Sequence, residues 1–287
     1  MNYGTALRRE VRESGVTPLI GVYDMYSASL AAQQFSGMFV SGFGFAASYY
    51  GMPDIGLIAW SDMVAFVQRL RLAFPDQHLL VDIDDGYGDP EVAAQVAANL
   101  ERVGASGVIL EDQKRPRRCG HAAGKQVLPL DEYLTKLDAV LQVRTDLLVV
   151  ARTDAVEECE MLHRAEALAD TDADVVLVDG VRSADLISKA RARVGAKPLL
   201  FNQIAGGVSP RLSLSELGEL GVNVAIYSTP CLFAAHTAIA QTLRNLHAND
   251  GRLDDDGVGV AASTRLLERN MIAHQHGDQL MLLGNQN

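Results

Sequence analysis

The chain has 287 residues, 48% of them hydrophobic, which is enough for a large apolar core in one or two domains. Its formal net charge of −11 argues against nucleic acid or an anionic membrane surface as a partner. No window approaches the roughly 18 apolar residues of a membrane span, and the polar N-terminus lacks the apolar core of a signal peptide. With only three scattered cysteines, these features predict a cytoplasmic protein with free thiols.

Eight apolar runs alternate with helical patterns along the chain. Such runs are typical of strands buried on both faces of a parallel sheet. An intervening helix is predicted at Pro90–Val103, where apolar residues share one face. Eight strand–helix units in about 250 residues predict a single (β/α)8 barrel of the TIM type. The predicted strands are Leu19–Asp24, Met38–Gly42, Leu79–Asp84, Gly107–Asp112, Leu147–Asp154, Val175–Gly180, Pro198–Ile204 and Val222–Ser228.

A last helix lies outside this eight-fold count. The polar segment Ala248–Val258 leads into it, and its pattern runs from Ala261 to about Leu283. We therefore treat 1–287 as one barrel domain with 249–287 as a C-terminal helical extension. The extension either packs on its own barrel or reaches to a neighbouring subunit.

Acidic residues follow the third and fourth strands, where barrel active sites form. Asp82 and Asp84 are two residues apart and can face one centre, and Glu111 ends the adjacent strand. Asp54, which follows the second strand, is a candidate fourth member. Carboxylates that share a pocket need neutralisation, and a hard divalent cation supplies it: Mg²⁺, with Mn²⁺ as the alternative.

A basic segment, residues 111–125, follows the fourth strand and holds Cys119 and His121 near its middle. Its glycines make it pliable, and nearby cations are expected to lower the pKa of the Cys119 thiol. We predict a mobile lid that carries a reactive thiol over an acidic floor. Arg152, at the end of the fifth strand, offers a planar fork suited to a substrate carboxylate.

Structural explanations stay open for each of these features. The acids after the third strand could also cap the N-terminus of the next helix. Arg152 could also form a structural ion pair at the rim of the barrel. The basic segment would also suit a solvated loop with an incidental Cys119. Asp85 and Asp89 are expected in a turn and a cap, and the remaining candidates are expected to be packing or structural residues: Cys159, Cys231 and His236.

Several motifs together carry a family resemblance over roughly residues 10 to 245. They are Val40–Gly42, Gly51–Asp54, Asp82–Gly88, Leu110–Gln113, Pro116–His121 with Gly124-Lys125, Ala151–Ala155 and Asn202–Pro210. In these motifs the chain resembles the isocitrate lyase / phosphoenolpyruvate mutase superfamily. In having a cysteine, Cys119, on this loop, the chain resembles the carbon–carbon lyase branch of that superfamily.

The resemblance implies a barrel whose subunits exchange C-terminal helices and form a dimer of dimers. It implies Asp82 in direct contact with Mg²⁺, and Asp54, Asp84 and Glu111 on its water ligands. The implied substrate-binding residues are Ser41, Gly42, Phe43, Gly120, Arg152, Asp179 and Asn202. The implied catalytic residues are Arg118, Cys119 and His121, with Cys119 as the general acid.

The implied reaction is Mg²⁺-dependent cleavage of a small 2-hydroxy di- or tricarboxylate into an α-keto acid and a carboxylate. The substrate would be of the 2-alkylmalate, dimethylmalate or methylisocitrate type, and Cys119 would protonate an enolate-like intermediate. The alternatives are oxaloacetate hydrolysis or decarboxylation, a phosphonomutase, and a catalytically silent barrel. Asp179 and Ala205 stand at positions where the family often has Glu. In having Phe39 two residues before Ser41, the sequence resembles the 2-alkylmalate lyases.

Overall fold

The computed structural model describes residues 2–253 and 257–271 and shows eight parallel strands that close into a barrel in sequence order. The predicted TIM-type fold is therefore confirmed. The strands are β1 (Thr17–Val22), β2 (Gly37–Val40), β3 (His78–Asp82), β4 (Gly107–Glu111), β5 (Leu148–Thr153), β6 (Val175–Val178), β7 (Leu199–Gln203) and β8 (Val224–Tyr227). The helices with defined bounds are α1 (Tyr3–Glu13), α2 (Met25–Ala31), α3 (Gly42–Phe45), α4 (Trp60–Ala73), α5 (Pro90–Arg102), α6 (Leu130–Val143), α7 (Glu158–Ala169), α8 (Ala184–Val194), α9 (Leu214–Glu219) and α10 (Pro230–Ala248), with a π-helical turn at Ala46–Tyr50. None of the described helices is both long and apolar enough to cross a lipid bilayer.

Every strand ends one or two residues before its predicted end. The polar residues at these positions belong to the turns that follow the strands. Asp84 has a φ of 50° and Gly180 a φ of 72°, and neither backbone conformation fits a strand. The candidate site residues therefore lie just beyond the sheet, at the barrel opening.

Helix α1 covers the opposite end of the barrel. Leu7 and Val11 of α1 are buried in one apolar cluster with inward-facing strand residues such as Leu19 and Leu148. The Gly4 amide donates a hydrogen bond of 2.7 Å to the Asp146 carboxylate ahead of β5. Helix α1 thus covers the bottom of the barrel, and the candidate site lies at the other end, where the strands end.

The predicted last helix is present over 260–271, and the rest of it lies outside the described residues. In this structure it packs on α2 of its own chain, where Leu266 is buried and the Asn270 amide donates a 2.9 Å hydrogen bond to Ser29 Oγ. Exchange of this helix between subunits stays a prediction.

Candidate active site

A small cavity, with about 20 Å³ of space open to a water-sized molecule, lies at the carboxyl ends of the strands. It is lined by Phe39, Ser41, Phe43, Asp54, Asp82, Arg117, Cys119, Gly120, His121, Arg152, Asp179, Asn202, Ile204, Ile226 and Ser228. Three further candidates, Gly42, Asp84 and Glu111, contact or adjoin these lining residues. The structure thus gathers nearly all candidate residues at one opening, and only the Arg118 side chain points to solvent.

Arg152 is fixed by carboxylates on several sides. Register places it beside Glu111 on β4, and Nη2 lies 3.3 Å from Glu111 Oε2. Nε donates to Asp154 Oδ2 at 2.8 Å, and Nη2 lies 2.7 Å from Asp179 Oδ2. Burial favours a neutral Asp179, but Arg152 and His121 outweigh it and lower the pKa of that carboxyl. Arg152 therefore forms ion pairs at the rim of the barrel, and its guanidinium also lines the cavity in a fixed orientation.

His121 ties the loop of residues 114–125, here called the lid loop, to the ends of β6 and β7. Its Nδ1 accepts a hydrogen bond of 3.1 Å from the Val208 amide, so the ring proton is assigned to Nε2, 3.4 Å from Asp179 Oδ1. Asn202 Nδ2 donates to the same Asp179 oxygen at 3.1 Å, and Ser228 Oγ donates to Asn202 Oδ1 at 2.6 Å. The lid loop is closed over the cavity in this structure.

Four buried carboxylates, here called the acidic cluster, form the floor: Asp54, Asp82, Asp84 and Glu111. Burial raises the pKa of Asp82 and of Asp84, and it raises the pKa of Glu111 to about 8. The alternative that these acids cap the next helix is wrong, because Asp89 caps α5 by accepting the Val92 amide at 2.9 Å. The expected roles of Asp89 as a cap and of Asp85 in a local turn are confirmed.

The guanidinium of Arg117 lies inside the acidic cluster, with its side chain 1% exposed. Its Nε donates to Glu111 Oε1 at 2.7 Å, and its Nη1 donates to Asp54. Nη1 also lies 3.3 Å from Asp84 Oδ1, which is an ion pair without hydrogen-bond alignment. The lid loop therefore reaches the floor of the cavity through one cation.

The donor set of the acidic cluster suits a divalent cation. Both carboxylate oxygens of Asp84 are buried and, among the described residues, have no hydrogen-bond partner. Orphaned carboxylate oxygens beside three further acids are the ligands that Mg²⁺ prefers. In the present arrangement, however, no three His, Cys, Asp or Glu side chains within 2–253 and 257–271 come together closely enough to hold a metal ion.

The expected lowering of the Cys119 pKa is wrong, since burial raises the pKa of this thiol to about 11. Three cations of the lid loop are engaged elsewhere: Arg115 with Asp85, Arg117 with the acidic cluster, and Lys125 with Asp154. The thiol is therefore protonated at neutral pH. The alternative of a solvated basic loop is also wrong, because Arg117 is buried and Cys119 lines the cavity.

The other cysteines differ from each other. Cys231 packs against the main apolar cluster, as expected. Cys159 is exposed at the start of α7, so its expected packing role is wrong. Neither residue, nor the exposed His236 of α10, lies in the cavity lining.

A family model described as phosphoenolpyruvate phosphomutase matches residues 7–247. The chain belongs to the phosphoenolpyruvate phosphomutase family. It is 30% identical over 261 residues to the chloroplastic carboxyvinyl-carboxyphosphonate phosphorylmutase of Arabidopsis thaliana, covering 87% of this chain and 76% of that protein. It is 31% identical over 254 residues to 2-methylisocitrate lyase of Shewanella oneidensis, covering 86% of each.

Among solved structures, oxaloacetate acetylhydrolase in complex with 3,3-difluorooxalacetate matches this phosphomutase-family chain with a TM-score of 0.88. The two are 31% identical, and the match covers 100% of this chain and 98% of that one. The resemblance predicted from the motifs is thus confirmed. The prediction of an enzyme from the lyase branch is confirmed by the named lyases among the relatives.

Three residues of this family member were not predicted from the sequence: Arg117, which lines the cavity, and Lys125 and Asp154, which pair with each other beside Arg152. Arg118 was predicted instead, but its backbone N–H and C=O both hydrogen-bond the Gln113 side chain while its own side chain is exposed. The catalytic role predicted for Arg118 stays a prediction. The available signal was the Arg117-Arg118 pair beside an acidic floor, since only one of two adjacent side chains on an extended loop faces inward.

Proposed function

We propose that this protein is a Mg²⁺-dependent carbon–carbon lyase acting on a 2-hydroxy di- or tricarboxylate of the 2-alkylmalate, dimethylmalate or methylisocitrate type. The observation that carries the proposal is one cavity shared by Cys119, Asp82, Arg152 and Asn202. A proton donor, an acid that suits a cation, and groups that bind carboxylates are what such a cleavage requires.

The substrate carboxylate and the C2 oxygen would be held by the turn after β2 and by Arg152. Ser41 Oγ accepts the Gly44 amide at 3.1 Å, which leaves its hydroxyl proton free to donate into the cavity. The backbone N–H groups of Gly42 and Phe43 are proposed to add further donors for the same oxygens. A bound Mg²⁺, held by Asp82 directly and by Asp54, Asp84 and Glu111 through water, would stabilise negative charge on the C2 oxygen.

Cys119 is proposed to deliver the proton that completes the reaction. The C2 hydroxyl of the substrate gives its proton to a base; as the bond between C2 and C3 breaks, C2 becomes the carbonyl of the keto acid and C3 keeps the electron pair. The buried Cys119 thiol is protonated at neutral pH, as a general acid must be. His121 is proposed to act by holding the closed lid loop through Asp179, which excludes water from the intermediate.

Oxaloacetate hydrolysis is the second candidate function. The full-length similarity to an oxaloacetate acetylhydrolase structure, with its TM-score of 0.88 and 31% identity, supports this candidate. Its C–C cleavage would use the same oxyanion site and the same protonated thiol. A silent barrel is disfavoured, because Asp179 still supplies a carboxylate beside Arg152 and the substituted Ala205 lies outside the cavity lining.

The test is a substrate panel with Mg²⁺ and with EDTA. Release of the α-keto acid from 2,3-dimethylmalate, 2-alkylmalates and 2-methylisocitrate would be measured beside oxalate release from oxaloacetate and phosphonate formation from phosphoenolpyruvate. We expect Mg²⁺-dependent release of the keto acid, lost in Asp82→Asn and retained in the exposed lid-loop control Lys114→Gln.

Oxalate release alone would select the second candidate. Turnover that persists undiminished in EDTA would contradict the proposed metal dependence. A protein that binds neither Mg²⁺ nor oxalate and cleaves nothing in the panel would be the silent barrel.

We also propose that the subunits associate as a dimer of dimers through α10 and α2. A groove of about 910 Å³ is lined by apolar residues of both helices, among them Leu30 and Ala234, and by Phe35, which follows α2. On α10, Ile239 and Leu243 are 58% and 60% exposed, which favours coverage by a second copy. Light scattering should give the mass of a tetramer, with Leu243→Glu shifting it downward. A monomeric wild type would contradict this proposal.

A further inference from the structure

The basic groups at the cavity are already matched by carboxylates of the chain. Among the described residues, the lining contains three basic side chains: Arg117, Arg152 and His121. Each of them has a nitrogen within 3.4 Å of a buried carboxylate oxygen. Two further cations, Arg182 and Arg211, line neighbouring hollows rather than this cavity. The cavity therefore has no spare positive charge for a third substrate carboxylate.

Two substrate carboxylates find donors without any further cation. The proposed function places the first one, with the C2 oxygen, at the turn after β2 and Arg152. Asn202 Nδ2 uses one proton on Asp179 Oδ1 at 3.1 Å, and its other neighbour, His121 Nε2 at 3.3 Å, carries a proton and cannot accept. The second amide proton of Asn202 is thus available to a second carboxylate.

The rest of the lining forms a patch here called the apolar wall. Its members are Phe39, Phe43, Ile204 and Ile226. The ring of Phe43 is backed by Phe233 of α10, with the ring centroids 6.0 Å apart and the planes at 88°. Ile204 lies at the edge beside the lid loop, since a Cβ atom on Gly207 would be 2.3 Å from Ile204 Cγ2 and 2.5 Å from His121 Nδ1. The apolar wall suits an alkyl group and leaves a carboxylate without a partner.

The position of C3 brings its substituent to this wall. As the proposed proton donor to C3, Cys119 must lie next to that atom, and Cys119 lines the same cavity as Ile204. Because the polar lining is taken up by the two carboxylates and the C2 oxygen, the C3 substituent is left to face the apolar wall.

We propose that the apolar wall selects a substrate with two carboxylates and an alkyl group on C3, with Ile204 as a specificity-determining residue. This inference rests on the proposed function and narrows its substrate class. 2,3-Dimethylmalate meets the requirement. 2-Methylisocitrate does not, because it carries a carboxymethyl group in place of the C3 methyl. Its third carboxylate would be buried against the wall without a counter-charge.

The experiment compares kcat/KM for these two compounds in the full chain with Mg²⁺. Wild type should prefer 2,3-dimethylmalate by about 100-fold or more, since a site discriminates strongly against a group that it leaves unpaired. Ile204 is half-buried, so Ile204→Lys can place its ammonium at the cavity edge and should reduce this preference by about tenfold or more. Ile204→Met has a similar length without the charge and should keep the ratio of the two kcat/KM values within about threefold of wild type.

A binding measurement tests the same selection without turnover. Methylsuccinate and tricarballylate differ by the same exchange of a methyl for a carboxymethyl group, and neither has the hydroxyl that cleavage needs. In calorimetry with Mg²⁺, methylsuccinate should bind to wild type about tenfold or more tightly than tricarballylate.

The outcomes separate this inference from the proposed function. A wild-type kcat/KM for 2-methylisocitrate within about tenfold of that for 2,3-dimethylmalate would overturn the selection and leave the lyase function intact. An unchanged ratio in Ile204→Lys would overturn the role of Ile204. If neither compound is cleaved, the proposed function falls, and the order of the two unreactive ligands decides whether the wall selects alkyl groups. The wild-type comparisons stay decisive even if Ile204→Lys fails to fold.

Discussion

Gly120 lies where the closed lid loop touches the charged wall of the cavity, and Gly120→Ala should prevent closure. A Cβ atom at this position would lie 2.0 Å from Asp179 Oδ2 and 2.4 Å from Arg152 Nη2. Both distances are more than about 1 Å inside van der Waals contact. Closure would then require the Arg152–Asp179 pair to separate, and breaking a buried ion pair costs about 3–5 kcal/mol. At 1.4 kcal/mol per factor of ten, the closed state becomes roughly 100- to 4000-fold rarer.

The assay compares kcat/KM on the substrate identified by the panel with proteolysis of the lid loop at its arginines. We expect Gly120→Ala to lose about 100-fold or more in kcat/KM and to be cleaved faster, because an open loop escapes the clash. Global stability should hardly change, since opening relieves the strain. Ala123→Ser adds one atom at an exposed position of the same loop and serves as the control. Retention of kcat/KM within threefold, with unchanged proteolysis, would refute the closed geometry.

Three further predictions concern the thiols and one buried ion pair. Cys119→Ser should lower kcat by about 10² to 10⁴ with little change in KM, and full activity in steady-state assays would contradict the acid role. At pH 8, a thiol with a pKa of about 11 is roughly one-thousandth ionised. Iodoacetamide should therefore label the exposed Cys159 far faster than Cys119. The labelling rate of Cys119 should climb as the pH rises towards 11. Faster labelling of Cys119 at pH 7 in peptide mass spectra would contradict its raised pKa. Arg164→Met removes the guanidinium whose Nη1 lies 2.9 Å from Oδ2 of the fully buried Asp112. It should lower the free energy of unfolding by about 3–5 kcal/mol. A urea titration that shows a loss of less than about 1 kcal/mol would argue against that pair.

The fold was largely predictable because burial on both faces leaves an unambiguous apolar run for each strand. All eight strand cores were identified, and so was the helix at α5, which ends at Arg102 rather than Val103. The strand ends were less predictable. Residues such as Asp84 and Gly180 continue the sequence pattern of the strand but adopt positive φ, and only the turn geometry decides this.

The site was predictable where residue spacing along a strand fixes the direction of a side chain. It was less predictable where contacts between distant residues decide the direction or the pKa of a side chain. Asp82 and Glu111 follow from strand periodicity and adjacent strand ends. The sign of the Cys119 pKa shift does not, because it depends on which acids engage each neighbouring cation and on how deeply the thiol is buried. For the same reason, the inward direction of Arg117 rather than Arg118 could be seen only after the acidic cluster was placed beneath the loop.

Phe39 and Ile226 belong both to the apolar cluster inside the barrel and to the cavity lining. A substitution that enlarges the substrate space at either position therefore also removes packing from the interior, and replacing a buried Phe by Ala costs about 3–5 kcal/mol. Phe43 and Ile204 line the same space from outside that cluster. Natural or laboratory evolution towards bulkier substrates should therefore proceed through these two outer positions, with the inner pair changing only after stabilising substitutions elsewhere.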